Sequence, residues 1–514
     1  MQYPPSNGRA ASAWLLPFKT CLTLSAILAG VFLFSEKAAA DDRPNFILFI
    51  ADDVSWNDLS CYGSPNARTP EIDAIAANGM QFEEAYLTAS SCSPSRSSII
   101  TGRYPHNNGE AAELHRPISA HIPAFPGVLR DKGYYTALAG KDHMTWKKPE
   151  SKRNVPTEPF VKKYGTSVPG NNGGEGYWLD ALHDCPKDQP FFLWLASTDA
   201  HRDWGAELQW DEEEYGPRCE PGDVDVPPYL VDTLWTRIDL ACYYNEVRRF
   251  DHFVGKTVKE LEKMNLADNT YLIILADNGR PFPRAKTRLH DSGMKTYFIM
   301  AGPKVQSGSK TSALTSVIDI APTVMELAGV KEPKTLQGRS LLPVLQDPSQ
   351  SIRPLAFSEH NWHDYEAHGR SVRDGRYLLI RNFRPNLAWQ GPADSVRSVS
   401  FRDLVEASLN RRKKLTLAQK DVLLAPRPEV ELYDTSNDPY QTDNLAGSAE
   451  FADIEQRLTQ ALDHWMEATD DSVPEVVSPD QFDRETGNRI SPRVDYVDPP
   501  GADRDADRNN SEGL

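Results

Sequence analysis

Asn45-Phe46-Ile47-Leu48-Phe49-Ile50-Ala51-Asp52-Asp53 is the stretch on which the fold turns. The apolar run from Asn45 to Ile50 is too short for a typical globular helix and leads at once to two acidic residues. That pattern belongs to a strand buried on both faces of a sheet. Phe191 to Ala196, Tyr271 to Ala276 and Tyr297 to Ala301 repeat it, and the third of these four runs ends on Asp277-Asn278. Helical patterns alternate with the strands. Thr69-Pro70 opens one that carries Ile72, Ile75, Ala76 and Met80 on a single face; a longer one covers much of Val231 to Met264; another spans about Val317 to Ala328 and stops at Gly329. The alternation predicts an α/β fold, with a large mixed, mostly parallel sheet sandwiched by helices over residues 41–350. Beyond it, Leu355 to Ser358, Arg376 to Arg381 and Glu431 to Tyr433 read as an antiparallel sheet, with a helix near Ile454 to Met466. These predict a smaller C-terminal α+β domain over residues 351–470. Residues 471–514, rich in Asp, Pro, Asn and Arg, read as an extended or flexible tail.

With 39% apolar and 25% charged residues in 514, the composition excludes wholesale disorder, a collagen-like repeat and a polytopic membrane protein. The net charge of −17 argues against nucleic acid as a partner, while leaving room for a local basic cleft. Arg9 and Lys19 precede an apolar run from Cys21 to Phe34, and Ala38-Ala39-Ala40 follows. This reads as a signal peptide over residues 1–40, since the run is shorter than the roughly 20 residues a spanning helix needs. The expectation is an exported protein, periplasmic or secreted, without stable membrane insertion. A single N-glycosylation spacing, Asn509-Asn510-Ser511, leans towards a bacterial source. Five cysteines remain once Cys21 is removed: Cys61, Cys92, Cys185, Cys219 and Cys242. In an oxidising compartment four can pair and one is spared, and no spacing resembles a zinc site.

Asp52-Asp53 and Asp277-Asn278 directly follow strands, and the carboxyl ends of strands form the binding crevice of an open α/β sheet. Three carboxylates and an amide oxygen make a hard site suited to Ca²⁺ or Mg²⁺; the alternative is that they merely terminate strands. Cys92-Ser93-Pro94-Ser95-Arg96 leads into a helix pattern. A cysteine at a helix start faces unpaired N–H groups, and Arg96 one turn on offers a fork for a sulfate or phosphate. A disulfide or a capped surface turn is the plainer alternative.

Cys92-x-Pro94-Ser95-Arg96 followed by Thr101-Gly102-Arg103 resembles the signature of the type I sulfatases. Companion motifs follow in family order: Asp52-Asp53, Gly140-Lys141-Asp142-His143, His201 after a strand, Asp277-Asn278-Gly279, and Glu431-Leu432-Tyr433-Asp434. The resemblance spans residues 43 to 470 and implies an alkaline-phosphatase-like fold. It also implies that Cys92 becomes 3-oxoalanine (formylglycine), made by a formylglycine-generating enzyme, whose hydrate is the nucleophile. One Ca²⁺ would be held by Asp52, Asp53, Asp277 and Asn278, with an oxygen of the modified Cys92. Arg96 would hold the hydrate, with Asp277 helping to activate it. Lys141 and His143 match residues that contact the nucleophile and the sulfate, and His143 is the candidate base. His201 matches the leaving-group histidine, and Lys286 a second sulfate-binding cation. Because Lys286 lies among Arg280, Arg284 and Arg288, a solvated basic loop is its alternative reading.

Asp277-Asn278-Gly279-Arg280-Pro281-Phe282-Pro283 is similar to the heparan N-sulfatase (sulfamidase) branch, which has arginine at the place of Lys286. Ser358 to His368 departs from that pattern, and His360 within it is a candidate sugar contact. The implied reaction is hydrolysis of the sulfamate of N-sulfoglucosamine in heparan sulfate or heparin fragments, with a possible homodimer. The alternatives are an O-sulfatase on another sulfated glycan, a phosphonate or phosphodiester hydrolase, and an exported glycan binder that leaves Cys92 unmodified.

Overall fold

The computed structural model describes residues 42–148, 158–165, 174–204, 210–410 and 412–513. The expected signal peptide lies outside them. In chain order the first strands are β1 (Asn45–Ala51), β2 (Met80–Phe82), β3 (Ala85–Tyr86), β4 (Tyr135–Gly140), β5 (Lys162–Tyr164), β6 (Phe191–Ala196), β7 (Thr270–Ala276), β8 (Phe298–Ala301), β9 (Ser309–Thr311) and β10 (Thr315–Ser316). Eight form one sheet in the order β5-β4-β6-β1-β7-β8-β2-β9, and β3 and β10 pair separately. Five of the seven pairings in the large sheet are parallel; β8 is antiparallel to both its neighbours.

β1 shows why the apolar run is continuous. Phe46, Leu48 and Ile50 enter the core on one face, and Ile47, Phe49 and Ala51 enter the core on the other. A strand with water on one face would alternate apolar and polar residues. The second face is closed by the thirty-residue helix Leu234–Lys263, whose Leu240, Tyr243, Val247, Phe250 and Val254 are buried there. The first face is closed in part by the helix Ile320–Leu327.

A second sheet follows, β11 (Ala356–His360), β12 (Gly369–Arg373), β13 (Tyr377–Asn382) and β14 (Val430–Asp434), antiparallel throughout. The sequence pattern misses β12, whose Arg370 and Arg373 are buried in ion pairs with Asp471 and Asp291. One face packs under the helix Ala452–Ala468 through Phe357, Leu379, Leu432, Leu462 and Trp465. From the other face, Leu378, Ile380 and Tyr433 join the same core as β1. That shared core makes residues 41–514 one compact unit.

The terminal segment, with two short 3-10 turns at Ala502–Arg504 and Ala506–Arg508, is tied down. The buried Arg103 guanidinium donates to the carbonyls of Asp507 and Asn509 and to the side chain of Asn510, and Asn107 donates to the carbonyl of Ala506. Polar rather than apolar groups hold it. Cys61, Cys92, Cys185, Cys219 and Cys242 are all free thiols, so the two bridges that an even pairing allowed are not formed.

Candidate active site

The register of the sheet builds the site. Ala51 pairs with Ala276 across β1 and β7, so Asp52 and Asp277 leave adjacent parallel strands side by side. Gly140 pairs with Ala196 across β4 and β6, which delivers Lys141 and the loop carrying His201 to the same edge. Gly140 has φ 95°, and a Cβ there would collide with the Ala196 carbonyl, so only glycine permits this close turn into Lys141.

The helix Cys92–Thr101 presents its first residue to this edge, and all ten of its residues are buried. Cys92 Sγ lies 3.8 Å from Asp52 Oδ1 and 3.7 Å from Asp53 Oδ1. Burial pushes the thiol well above its ordinary pKa, against the pull of Lys141 and Lys286, so residue 92 as an unmodified cysteine is a protonated thiol. Arg96 sits one turn further on. Its Nε donates to Asp277 Oδ2 at 2.8 Å and one terminal nitrogen to the Lys141 carbonyl at 3.1 Å. The other terminal nitrogen, 3.8 Å from Asp52, is buried without a hydrogen bond.

Each carboxylate is answered by a cation. Lys141 Nζ is ion-paired with Asp52, and Lys286 Nζ lies 2.7 Å from Asp53 Oδ2. Lys286 is 1% exposed, so it does not belong to a solvated loop. Burial opposes its charge, but Asp394 and Asp53 outweigh that and hold its pKa well above the ordinary lysine value. Arg280, Arg284 and Arg288, its basic neighbours in sequence, turn elsewhere, to Asp58, to the carbonyls of Tyr440 and Gln441, and to Asp421.

The quartet also suits a cation by its unmet needs. Ligand atoms of Asp52, Cys92 and Asp277 lie within 4.8 Å of one another. Asn278 spends its amide N–H on Asp53 and on the Gly279 carbonyl, while its Oδ1 is buried with no hydrogen-bond partner. Clustered carboxylates beside an unsatisfied amide oxygen are the donor set of a hard divalent ion.

Three histidines and an aspartate surround this centre. His143 Nε2 is 2.7 Å from His115 Nδ1, and its own Nδ1 is buried and unpartnered. Burial, then Lys141, holds its pKa well below the usual histidine value, so it is neutral. His201 gives Nδ1–H to the Arg202 carbonyl, and its Nε2 stands 3.6 Å from Asp394 Oδ2 and 3.9 Å from Asp53 Oδ2. His363 Nδ1 pairs with Ser91 Oγ at 2.7 Å, immediately before Cys92.

Cys92, Arg96, Lys141, Lys286, His201 and the acidic quartet are thus linked by direct contacts, with His143 held within the electrostatic reach of Lys141, Arg96 and Lys286. His360 is not among them. It is buried at the end of β11, edge-on to Trp389 with ring centroids 5.3 Å apart. The site also holds a residue the sequence did not reveal. Asp394, in the short helix Ala393–Val396, reaches within 3.5 Å of Lys286 Nζ, and despite burial Lys286 and His201 pull its pKa down to about 2. It follows no strand and belongs to no motif, so no local pattern marks it.

Comparison with known proteins gives this geometry its family. The sulfatase family model matches residues 44–330, more than half the chain. The chain belongs to the sulfatase family. It is accordingly a sulfate ester or sulfamate hydrolase. A second model, N-sulphoglucosamine sulphohydrolase, C-terminal, matches residues 285–390. Human N-sulphoglucosamine sulphohydrolase is 30% identical over 487 residues, covering 85% of this sulfatase and 92% of that protein. An ulvan-active sulfatase of Formosa agariphila is 29% identical over 460 residues, covering 86% and 84%. Among solved structures, BT4656 in complex with its substrate D-glucosamine-2-N,6-O-disulfate aligns with a TM-score of 0.62 at 21% identity, over 83% of this chain and 98% of that one. A phosphonate monoester hydrolase from Silicibacter pomeroyi aligns with a TM-score of 0.63 at 18% identity, over 84% and 98%. These likenesses match the sheet-and-helix architecture of this chain. No helix among the described residues is long and apolar enough to cross a membrane.

Proposed function

We propose that this sulfatase hydrolyses the sulfamate of N-sulfoglucosamine in heparan-type saccharides. The observation that carries the reading is the match of the N-sulphoglucosamine sulphohydrolase C-terminal model over residues 285–390, the segment that supplies Lys286 and His363 to the site. Asp52, Asp53, Asp277 and Asn278 would hold one Ca²⁺, and Cys92 would be converted to formylglycine. Together these groups supply an oxygen nucleophile and a Lewis acid for the sulfate.

The chain's own residues do the rest. A sulfate group brings negative oxygens into a buried site, where Lys141, Lys286 and Arg96 offset charge more strongly than they would in water. Arg96 is held by Asp277 with one terminal N–H unspent, so it has a donor ready for an oxygen beside residue 92. His143 is neutral with a free Nδ1, and serves as the base that resets position 92 after sulfur–nitrogen cleavage. A departing amine needs a proton, and His201 in its doubly protonated form, with Nδ1–H held by the Arg202 carbonyl, is placed to give one from Nε2 beside Asp394 and Asp53.

An O-sulfatase on another glycan is the second reading, favoured by the similar identity to the ulvan-active sulfatase. Sulfate release from N-sulfoglucosamine and from 6-O-sulfated N-acetylglucosamine, followed by ion chromatography, separates the two. Release from the O-sulfated sugar alone would reject the sulfamidase reading. Peptide mass at position 92 and loss of turnover in Cys92→Ala test the nucleophile.

A further inference from the structure

A cavity of about 480 Å³ lies between His115 and the C-terminal segment, and no site residue named above accounts for it. Two of its lining residues lead to the reacting centre. His115 is hydrogen-bonded to His143, and Asp364 stands 3.8 Å from the Nε2 of His363, whose other nitrogen holds Ser91 beside Cys92. The cavity therefore adjoins the active site on the side of His143 and His363.

Its wall is built from residues 481–496, and that wall carries Arg489 and Arg493. Neither guanidinium is ion-paired to a carboxylate among the described residues. Arg489 is held by neutral acceptors instead: the carbonyls of Ser491 and Pro492, and the Gln481 amide oxygen in the orientation its neighbours require. Burial first, then Lys141, Lys286 and last the Arg489 charge, lower the pKa of His115. Against these two arginines the lining sets one carboxyl, Asp364, whose pKa burial raises to about 6, so the cavity is net positive in a chain of net charge −17 and suits an anionic ligand. Phe482 and Tyr496 add partly exposed rings to the same walls, the Phe482 ring lying under the Arg489 guanidinium at 5.8 Å.

We propose that this cavity is a second saccharide subsite, in which Arg489 and Arg493 bind the carboxylate or sulfate of the sugar next to the one that loses its sulfate. The subsite rests on the saccharide reading of the active site and extends it from a terminal residue to its acidic neighbour. It also gives the terminal segment a task. The segment is anchored around Arg103, and from that anchor it carries one wall of the substrate cleft.

The test compares three substrates with the same terminal N-sulfoglucosamine: the monosaccharide, a disaccharide ending in an unsulfated uronate, and a disaccharide ending in a neutral hexose that bears an O-sulfate. Two charge-assisted contacts predict a kcat/KM about 10- to 100-fold higher on at least one acidic disaccharide than on the monosaccharide. In Arg489→Ala/Arg493→Ala that ratio should fall to near one, chiefly through KM, and Arg489→Lys/Arg493→Lys should restore part of it. Both arginines are exposed, so the changes leave the core untouched. The more favoured disaccharide identifies the anion as carboxylate or sulfate. Equal kcat/KM on all three substrates, or a ratio unmoved by the double substitution, would overturn the subsite. If no N-sulfated sugar turns over, it is the sulfamidase reading that fails. Calorimetric titration with the desulfated uronate disaccharide then decides the subsite: binding lost in the alanine variant supports it, and no binding to the wild type rejects it.

Discussion

Lys286 Nζ and Asp53 Oδ2 meet at 2.7 Å in a place where both side chains are at most 1% exposed. A lysine buried this far keeps its charge only because carboxylates surround it, and removing it leaves Asp53 uncompensated in a dry site. Lys286→Met should lower kcat by about 100- to 1,000-fold, the cost of removing one preorganised charge from a transition state. Lys286→Arg should retain more activity, since it keeps the cation. Sulfate release kinetics on the two variants check the order.

Asp52, Asp53 and Asp277 press three carboxylates together, and a divalent ion relieves that crowding as Lys141, Lys286 and Arg96 do in part. Chelation should abolish turnover and lower Tm. Readdition of Ca²⁺ at about a hundred times its Kd should return about 2.7 kcal/mol of stability. A melting curve that ignores both chelator and Ca²⁺ would count against the metal site.

His201→Ala should cost about 100- to 10,000-fold on the N-sulfated sugar, whose amine leaves poorly without a proton. An aryl sulfate with a good leaving group should be spared by comparison. Equal losses on the two substrates remove His201 from the donor role.

Glu175 offers a pH test of the scaffold beneath that loop. Burial, with Asp199 beside it, raises its pKa from 4.5 to about 8, outweighing Arg249, whose closer contact is Asp199 at 2.7 Å. A carboxyl with a raised native pKa stabilises the fold fully below about pH 4.5 and loses that contribution as the pH climbs through 8. Tm should therefore fall across that window in the wild type, and Glu175→Gln should flatten the decline.

Deleting residues 502–513 takes three acceptors from Arg103 and one from Asn107, both fully buried. Stranding a buried polar group costs about 1–3 kcal/mol, so the truncated chain should unfold at a lower urea concentration. A midpoint unchanged by the deletion would mean that water replaces the tail at no cost.

β1 and β7 were legible because a strand covered on both faces must be apolar at every position, and that demand is written along the chain. Asp52 and Asp277 were legible for a related reason: they are the next residues after strands, so local order and spatial order coincide, whereas Lys141 was found only through the resemblance, because the strand before it, Tyr135–Gly140, was not read from the sequence. Cys92 and Arg96 share one helical turn and carry their geometry with them. β12 was not legible, since Arg370 and Arg373 look like surface residues until Asp471 and Asp291, 101 and 82 positions away, are brought to them. Asp394 and the cavity wall at Arg489 and Arg493 fall in the same class. Their neighbours are set by long-range packing of the second sheet and its trailing segment against the first, and no short-range periodicity encodes that. The chain by itself determined the α/β scaffold and the motif positions, Cys92 among them, that the fold gathers at one sheet edge. Only the tertiary structure decided that Lys286 is buried on Asp53, that His360 packs on Trp389 without joining the contacts around Cys92, and that residues 481–496 line a cavity beside His115, because burial and pairing of charges depend on which distant segments meet.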